Sequence, residues 1–348
     1  MGSDERRGTA TMKQVAEEVG VSIAAVSKVL HGKGNNIRIS EARAQDIRAA
    51  AVRLKYRPNA LARSLRMSRT HTIGLIWENM AEIGEGPLYY VHLLDGVAST
   101  LFPRHYRLTI LPEIPMVGGI GQLADGRLDG VIWCKMPDAR SILDDLEQTP
   151  LHVVGLNTSL AHHLCPTVTC DNEGGSKLVV DHLIELGHRN ILFVIDRGSE
   201  DTPDAISRRN GFLEAMARHG IDANKSVTYW DKSDPEVLEW LRTNPKETAV
   251  YAWYEGLAGK IMHRVQQAGF SVPGDLSVVG FDSTLYCDSL KPRLTAVRQP
   301  ITEMAQTAAK VVLDLIEGRP LDRTSFTFSC TLDVRESTSS PALHRSTH

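Results

Sequence analysis

The first sixty residues carry apolar positions at helical spacing. One apolar face recurs at i, i+3, i+4 and i+7 and is formed by Met12, Val15, Ala16 and Val19. Thr11 precedes this segment and Gln14 follows Thr11 by three residues, which is the spacing of a capping box. Gly20 stands where such a helix ends. The pattern therefore predicts a short helix between Thr11 and Gly20.

Two more helices follow by the same criterion. The stretch SIAAVSKVLHG begins at Ser22, and its apolar positions are Val26, Val29 and Leu30. Residues 40–56 repeat apolar side chains on one face and basic side chains on the other. Two short helices joined by a tight glycine turn form a helix-turn-helix, and a third helix closes a small core. We predict an all-α helix-turn-helix head over residues 9–56.

Beyond residue 70 the pattern changes to apolar runs that alternate with helical segments. The runs include TIGLIW, RLTIL, GVIWC, HVVGLN, NILFVID, TAVYAW and LSVVGFD. Continuous apolar strands between helices are typical of parallel sheets covered on both faces. About ten such units exceed one sheet of ordinary size, so we predict an α/β body of two doubly wound parallel-sheet lobes with a ligand cleft between them.

The charge of the chain is divided unevenly. Residues 1–70 hold 14 Lys and Arg against 6 Asp and Glu, a net charge of +8, and the remainder carries −11. A basic helical head on an acidic body predicts that the head binds a polyanion. The five cysteines are scattered and form no CxxC pair, and no secretory signal or membrane-spanning run is present. These features predict a protein of the reducing cytoplasm.

Residues 57–66, RPNALARSLR, connect the head to the body. The second residue of this run, Pro58, suits a first helical position, and Leu61 and Leu65 lie one helical turn apart. A helix this short is marginal in water by itself. An ordinary basic linker helix gains nothing from two exposed leucines, so we expect a partner to cover them.

In their order and spacing, three stretches resemble the start of a LacI/GalR-family transcription regulator: TMKQVAEEVGVSIAAVSKVLHG, YRPNALARSLR and TIGLI. The resemblance extends over almost the whole chain, and it implies a body of the type 1 periplasmic-binding-protein kind. It divides the chain into a head (9–56), a hinge helix and linker (57–70), a two-lobed effector-binding and dimerisation domain (71–336), and a disordered tail (337–348). The N-lobe is expected at about 71–165 and 298–324, and the C-lobe at about 166–297 and 325–336.

The resemblance implies how the head contacts DNA. The second helix lies in the major groove, where Ile23, Ala24 and Lys28 face the bases. The alternative is that Ile23 belongs to the core of the head. Phosphates are expected at Thr11, Ser22 and Ser27. In the hinge helix, Leu65 matches a leucine that wedges into a central base step of the minor groove, beside Arg66 and with Asn59 at the start of the helix.

The head departs from the family pattern in two respects. The turn at residues 31–40 is about three residues longer than usual, and Lys28 stands where relatives commonly carry arginine. We therefore expect the fold to be retained but the half-site sequence to differ from that of relatives.

The predicted ligand site follows from the ends of the strands. Ligands of open α/β sheets lie at the carboxyl ends of the strands. Aromatic, amide and acidic side chains gather at those ends, namely Trp77, Glu78, Asn79, Trp133, Asn157, Trp230, Trp253, Tyr254, Glu255 and Asp282. Aromatic faces beside carboxylates and amides suit a sugar. The alternative is that one or two of these tryptophans only fill the lobe cores.

The resemblance adds roles to some of these residues. Arg208 matches an arginine that grips the effector, Asp282 matches an effector-binding aspartate, and Trp230 matches an aromatic residue that stacks on the ligand. Tyr89 and Tyr90 fall where relatives line the mouth of the site. Tyr254-Glu255 replaces a common Asn-Asp, and the acidic residues Glu78, Glu255 and Asp282 around one arginine favour a polyhydroxyl ligand, with or without an amino group, over a sugar phosphate.

Other motifs predict no further chemistry. GIGQLA at residues 119–124 matches a dinucleotide fingerprint, but the run before it is short and flanked by proline. His162, His163 and Cys165 are too closely spaced for an ordinary zinc site. We predict no cofactor, no metal and no enzymatic activity.

The sequence thus predicts a homodimeric DNA-binding regulator, most simply a repressor, that binds a near-palindromic double-stranded operator and responds to a small carbohydrate effector. One alternative is a non-catalytic sugar-binding receptor of the transport class, which leaves the basic head unexplained. Another is an enzyme with a DNA-binding head, which turnover of a bound sugar would favour.

Overall fold

The protein divides into two compact units, residues 1–70 and 71–348, in the computed structural model. The structure describes residues 10–31, 38–57, 69–77, 88–111, 119–136, 140–158, 164–224, 226–230 and 246–341. Among the helices in these ranges, none is long and apolar enough to cross a lipid bilayer.

Three helices form the head: α1 (Met12–Val19), α2 (Ile23–His31) and α3 (Glu41–Arg53). The predicted capping box is confirmed, because Thr11 Oγ1 accepts a hydrogen bond from the Gln14 amide and Gln14 Oε1 accepts one from the Thr11 amide. Gly20 ends α1 in the left-handed conformation, with φ of 67°. Val15, Val26 and Ile47 are fully buried where the three helices meet. The apolar spacing thus placed the core correctly.

The body contains two six-stranded sheets, as the fold prediction requires. The first has the order β11-β5-β4-β3-β1-β2 and is parallel throughout. Its strands are β1 (Thr72–Ile76), β2 (Arg107–Leu111), β3 (Gly130–Cys134), β4 (His152–Leu156), β5 (Thr167–Cys170) and β11 (Ser325–Phe328). The helices that accompany it are α4 (Leu88–Leu101), α5 (Arg140–Gln148) and α10 (Ile301–Ile316). This sheet and its helices form the first lobe.

The second sheet has the order β12-β10-β9-β8-β6-β7, and only the edge strand β12 runs antiparallel. Its strands are β6 (Ile191–Asp196), β7 (Val227–Trp230), β8 (Ala249–Ala252), β9 (Ser277–Asp282), β10 (Thr295–Arg298) and β12 (Thr331–Asp333). The helices of this second lobe are α6 (Asn172–Glu185), α7 (Pro203–Arg218), α8 (Glu255–Gln267) and α9 (Leu285–Ser289).

The chain crosses between the lobes in three places: after β5, after β10 and after β11. This arrangement corrects the predicted lobe boundaries. Residues 167–170 and 325–328, which the sequence assigned to the C-lobe, pair with each other in the first sheet. Short strands at a crossover can continue either sheet, and apolar pattern alone does not distinguish the two. Because β11 pairs with β5 in the first sheet, both strands belong to the first lobe.

The predicted disordered tail also requires correction over its first residues. Ser337 is fully buried, accepts a hydrogen bond from the Thr295 amide at 2.8 Å and donates to the Val278 carbonyl. The Ser339 carbonyl oxygen lies 2.8 Å from Nε2 of His188. Hydrogen bonds of Ser337 and Ser339 thus attach this part of the tail to the second lobe, and residues 342–348 lie outside the described ranges.

Candidate functional site

The exposed side of α2 bears the residues that the sequence assigned to base contact. Ile23 is 46% exposed and Ala24 is also exposed, whereas the next two residues, Ala25 and Val26, are buried against the other helices. The alternative that Ile23 fills the core is therefore wrong. An apolar side chain at the start of a helix in this motif gains burial only from a partner surface.

The predicted phosphate contacts lie at the start of α1 and on α2. Ser22 is exposed and its hydroxyl accepts a hydrogen bond from the Ala25 amide at 3.2 Å, so it begins α2. Thr11 is exposed at the start of α1, while Ser27 and Lys28 are half-buried on α2. Helix N-termini carry free amide groups and partial positive charge, which suits phosphate oxygens. The hinge residues Asn59, Leu65 and Arg66 lie outside the described residues.

In the body, three strand ends share an uncommon backbone conformation. Lys135 follows β3, Asn157 follows β4 and Asp282 ends β9, and their φ angles are 56°, 55° and 93°. Residues with a Cβ seldom adopt positive φ, and such conformations cluster at binding sites where the surroundings hold them. All three lie at the carboxyl ends of parallel strands, which is where the ligand was predicted.

Arg208 on α7 is the centre of this group. It is 1% exposed, donates from Nε to Asn172 Oδ1 at 2.9 Å, and donates from Nη1 to the Trp253 carbonyl at 2.6 Å. Its Nη2 lies 3.6 Å from Asp282 Oδ1 and 3.9 Å from Asp204 Oδ2. These contacts fix the predicted effector-binding arginine before any ligand arrives.

Two carboxylates flank Arg208, and their pKa values shift in opposite directions. Burial acts to raise the pKa of Asp204, but attraction to Lys135 and then to Arg208 outweighs burial and lowers it. At Asp282 burial dominates and raises the pKa, although Arg208 and a 2.6 Å hydrogen bond from Gln299 Nε2 oppose the shift. Asp204 is therefore the more firmly ionised of the two.

The amides at the cleft link the two lobes. Asn157 in the first lobe accepts a hydrogen bond at 3.5 Å from Nδ2 of Asn172, which in turn binds Arg208 in the second lobe. Gln299 lies on the crossover after β10 and binds Asp282. The three amides thus connect the strand ends of both sheets through Arg208 and Asp282. A cavity of about 170 Å³, lined by Asn157, Asn172 and Asp204, opens beside them.

Three aromatic side chains pack together in the first lobe. The ring centroids of Trp77 and Tyr90 are 4.9 Å apart, and Tyr89 packs edge-on against Tyr90 at 5.3 Å. Tyr89 also places its hydroxyl 3.8 Å from Cys134 Sγ, at the end of β3. The predicted aromatic wall of Trp77, Tyr89 and Tyr90 is therefore assembled at one place. Glu78 and Asn79 lie outside the described residues.

Trp133 was assigned wrongly. Side chains alternate between the two faces of a strand, and Trp133 points with Val131 into a separate core that also contains Ile76 and Leu146. It is 4% exposed, so it fills this separate core of the first lobe.

Trp230 ends the edge strand β7, three strand positions from β9. At the usual strand spacing this separation is about 14 Å. The side chain is 7% exposed. Stacking of Trp230 on a ligand stays a prediction.

Glu255 was also assigned wrongly, because both of its carboxylate oxygens are already bound. They accept hydrogen bonds from the amide and the hydroxyl of Thr284 and from the Cys287 thiol. Burial, followed by the negative charge of Asp282, raises the pKa of Glu255 to about 7. This side chain joins the start of α8 to α9. Tyr254 before it is half-buried, with its ring 5.1 Å from that of Trp253.

Sequence reasoning missed four residues of this group: Lys135, Asn172, Asp204 and Gln299. Lys135 and Gln299 directly follow the strands GVIWC and TAVR. A search that includes the residue after each strand end would therefore identify both. Asp204 precedes Arg208 by one helical turn, which is the spacing of an ion pair on a helix. No sequence signal distinguishes Asn172 from other residues that follow a strand.

Several buried polar atoms of the cleft residues have no hydrogen-bond partner among the described residues. The donors are Nε1 of Trp77, Nδ2 of Asn157 and Nε1 of Trp253, and the acceptors are Oδ1 of Asp204 and Oε1 of Gln299. An unpaired buried polar atom costs about 1–3 kcal/mol, so such atoms are rarely left together. Asn157 and Asp204 line the cavity, so its wall offers one unpaired donor and one unpaired acceptor, which suits a ligand that both donates and accepts.

Comparison with known proteins agrees with this architecture. Residues 11–59 match the family model "Bacterial regulatory proteins, lacI family", and residues 180–338 match the model "Periplasmic binding protein-like domain". The HTH-type transcriptional regulator GalR of Escherichia coli (strain K12) is 33% identical over 351 residues, which is 97% of this chain and 98% of GalR. The chain belongs to the lacI family of bacterial regulatory proteins. It is therefore a DNA-binding transcriptional regulator, and the alternative of a receptor of the transport class is not favoured.

Two solved structures resemble this regulator over nearly its whole length. A complex of the transcriptional regulator CelR with cellobiose is 26% identical, covers 94% of this chain and 99% of CelR, and has a TM-score of 0.69. A lac repressor dimer bound to operator and an anti-inducer is 22% identical, covers 95% of this chain and 100% of the repressor chain, and has a TM-score of 0.79. The second likeness concerns the fold alone. Both confirm the predicted architecture of a helix-turn-helix head with a two-lobed body.

Proposed function

We propose that this lacI-family regulator is a non-enzymatic homodimer that represses transcription, and that an uncharged sugar in the interlobe cleft controls its binding to DNA. The observation that carries the ligand class is the set of unpaired buried atoms on Trp77, Asn157, Asp204, Trp253 and Gln299. A sugar hydroxyl donates one hydrogen bond and accepts others, so a single polyhydroxyl ligand satisfies both kinds of atom. The aromatic wall of the first lobe provides faces for its C–H groups.

The charge balance of the cleft favours a neutral ligand over the amino-bearing one that the sequence allowed. The acidic residues Glu78, Glu255 and Asp282 were expected to surround one arginine, but Glu255 binds Thr284 instead. Lys135 adds a second cation beside Arg208, and the two face the two carboxylates of Asp204 and Asp282. A net charge on the ligand would remain uncompensated in this buried place. The complex of the relative CelR with the neutral sugar cellobiose supports the same class.

The proposed control of DNA binding follows from the position of the ligand between the lobes. A ligand that contacts both lobes favours one angle between them, and that angle sets the spacing of the two heads of a dimer. We propose residues 57–70 as the hinge whose helix orders when two copies meet on a near-palindromic operator. Such a regulator acts in the cytoplasm, where the chromosome lies.

The test begins with a thermal-shift screen against neutral sugars, hexosamines, hexuronates, sugar phosphates and nucleosides. A cognate ligand at 100 times its Kd adds about 2.7 kcal/mol to the free energy of unfolding. Operator sequences are then selected from a random duplex pool, and their Kd is measured with and without that ligand. We expect a neutral sugar to change operator affinity about 5- to 150-fold. Stabilisation by charged sugars or nucleosides alone, or a ligand without effect on DNA affinity, contradicts the proposal.

A further inference from the structure

Lys135 makes the only contact of opposite full charges between the lobes within the described part of the cleft. It leaves β3 of the first sheet, and its Nζ lies 3.2 Å from Oδ2 of Asp204 on α7 of the second lobe. The side chains of Lys135 and Asp204 are 12% and 2% exposed. An ion pair this buried is weakly screened by salt, and removal of one partner leaves the other charge uncompensated.

Trp253 completes the surroundings of the same ammonium group. The Nζ atom of Lys135 lies 4.9 Å from the centroid of the Trp253 ring, within the distance of a cation–π interaction. Trp253 follows β8, so this contact also joins the first lobe to the second. A carboxylate beside a tryptophan face is a binding place for an ammonium ion from any source.

The backbone of Lys135 holds its side chain toward the second lobe. Lys135 has a left-handed φ of 56°, and its amide donates to the Leu156 carbonyl at 2.8 Å. The turn between β3 and the residues that follow is thus fixed by a strand neighbour, not by the ion pair. The lysine therefore reaches the cleft from a rigid element, which is what a specificity residue requires.

We propose that Lys135 fills, with its own ammonium group, a cation-binding subsite formed by Asp204 and Trp253, and thereby excludes amino-bearing ligands from the cleft while it joins the two lobes. This inference rests on the proposed ligand class only for the choice of sugar probes. Without Lys135, Asp204 keeps Arg208 as a distant partner at 3.9 Å, and a ligand ammonium takes the vacated position. Lys135 is then the residue that selects neutral sugars over amino sugars.

The first arm of the test uses chemical rescue and needs no knowledge of the effector. Lys135→Ala removes the side chain beyond Cβ, and n-propylammonium has the missing carbons and nitrogen. We expect n-propylammonium chloride to raise the melting temperature of Lys135→Ala, in a saturable manner, and to leave the wild-type protein unchanged. Matched concentrations of 1-propanol and sodium chloride serve as controls. Equal effects of n-propylammonium and 1-propanol overturn the proposal.

The second arm measures selectivity between matched sugars. Kd values are determined by calorimetry for D-galactose against D-galactosamine and D-glucose against D-glucosamine, at about pH 7 where most of an aliphatic amine is protonated. We expect Lys135→Met to shift the ratio at least about tenfold toward the amino sugar, and Lys135→Arg to keep the wild-type preference. The double variant Lys135→Met/Asp204→Asn should lose the shift, because the subsite then has no charge. An unchanged ratio in Lys135→Met overturns the proposal.

A surface lysine provides the matched control. Lys177 pairs with Glu214 at 2.9 Å outside the cleft, so Lys177→Met removes a paired ammonium without touching Asp204 or Trp253. It should show neither rescue nor altered selectivity. If neither the wild-type protein nor any variant binds a sugar, the proposed ligand class is wrong. The n-propylammonium result still decides the role of Lys135 in that case.

Discussion

The guanidinium carbon of Arg208 lies 3.6 Å from the centroid of the Phe281 ring, so the cation rests on the residue that directly precedes Asp282. Its planar group also donates to Asn172 and to the Trp253 carbonyl. Lysine has neither the planar face nor two directed donors. The arginine is consequently part of the folded second lobe as well as of the binding site.

Arg208→Lys should therefore lower the free energy of unfolding of the body by about 1–3 kcal/mol, because one ammonium group cannot reproduce the buried hydrogen bonds to Asn172 and to the Trp253 carbonyl. Urea denaturation measures the change. Arg218→Lys on the same helix is the control, since its pair with Asp181 is half-exposed and contributes about 1 kcal/mol or less. Equal losses in the two variants would contradict a special role for Arg208.

Trp253→Phe should weaken ligand binding more than it weakens the fold. The smaller ring leaves a cavity at this buried position, but the variant also removes an indole N–H that has no partner among the described residues, which offsets part of the loss of stability. Affinity for the sugar identified in the screen should fall about tenfold, which corresponds to one lost hydrogen bond to a ligand. Trp133→Phe, in the separate core of the first lobe, should leave the Kd unchanged. Unaltered affinity in Trp253→Phe would remove this residue from the site.

Glu255→Gln should flatten the pH dependence of stability. The folded pKa of Glu255 is about 7 and the ordinary value is 4.5, so the folded protein binds this proton more tightly than the unfolded chain. The resulting stabilisation is complete below about pH 4.5 and is lost as the pH rises through about 7. The difference in melting temperature between Glu255→Gln and wild type should therefore grow in favour of the variant across this range.

The comparison with Glu214→Gln removes effects common to any carboxylate change, because Glu214 is 65% exposed. The neighbours of Glu255 are Asp282, Thr284, Tyr286 and Cys287. Burial lowers the pKa of His182 and His188, and their contribution to stability runs in the opposite direction over part of this range. A constant difference between Glu255→Gln and wild type at all pH values would refute the assignment.

Lys28→Ala should relax specificity at one base pair of each half-site. A bidentate contact to a guanine edge discriminates by about 1–3 kcal/mol against the wrong base. Binding to the selected operator and to its single-base variants measures this. Ile23→Ser is the companion variant, because its exposed apolar side chain at the start of α2 is expected to contact a thymine methyl. A uniform loss of affinity over all sequences would make Lys28 a phosphate contact.

Leu65→Ala should weaken operator binding while the affinity for the sugar in the absence of DNA stays the same. An apolar wedge offsets the cost of unstacking a base step through the contacts of the bent duplex, and alanine is too short to do so. Gel-shift titration with the selected operator measures the loss. Equal operator affinity in Leu65→Ala and wild type would end the wedge proposal.

The head was predictable because its signals are local. The spacing of Thr11 and Gln14 and the recurrence of Val15 and Val19 depend on one helix at a time, so tertiary contacts did not alter them. Strand ends were equally informative in the body, since parallel strands align their carboxyl ends whatever their order. Asn157 and Asp282 were found in this way, whereas Arg208, which lies on a helix, came from the family resemblance.

The errors share a physical cause. Position at a strand end does not specify what a side chain contacts: Trp133 packs in a separate core, and Glu255 binds Thr284. Lys135 was missed because a lysine after a strand is ordinarily solvated, and only the second lobe shows what it contacts. The assignment of β5 and β11 depended on pairing between residues far apart in sequence, which no local pattern contains.

The last strand of the first sheet, β11, spans residues 325–328 of a 348-residue chain. Synthesis proceeds from the N-terminus, so a ribosome has released almost the entire polypeptide before the sheet that starts at Thr72 has its final edge. The edge of β5 that pairs with β11 therefore stays unpaired while more than one hundred and fifty further residues are translated. The head, by contrast, has all three of its helices once residue 53 has been synthesised, so it can fold while the body is still being translated.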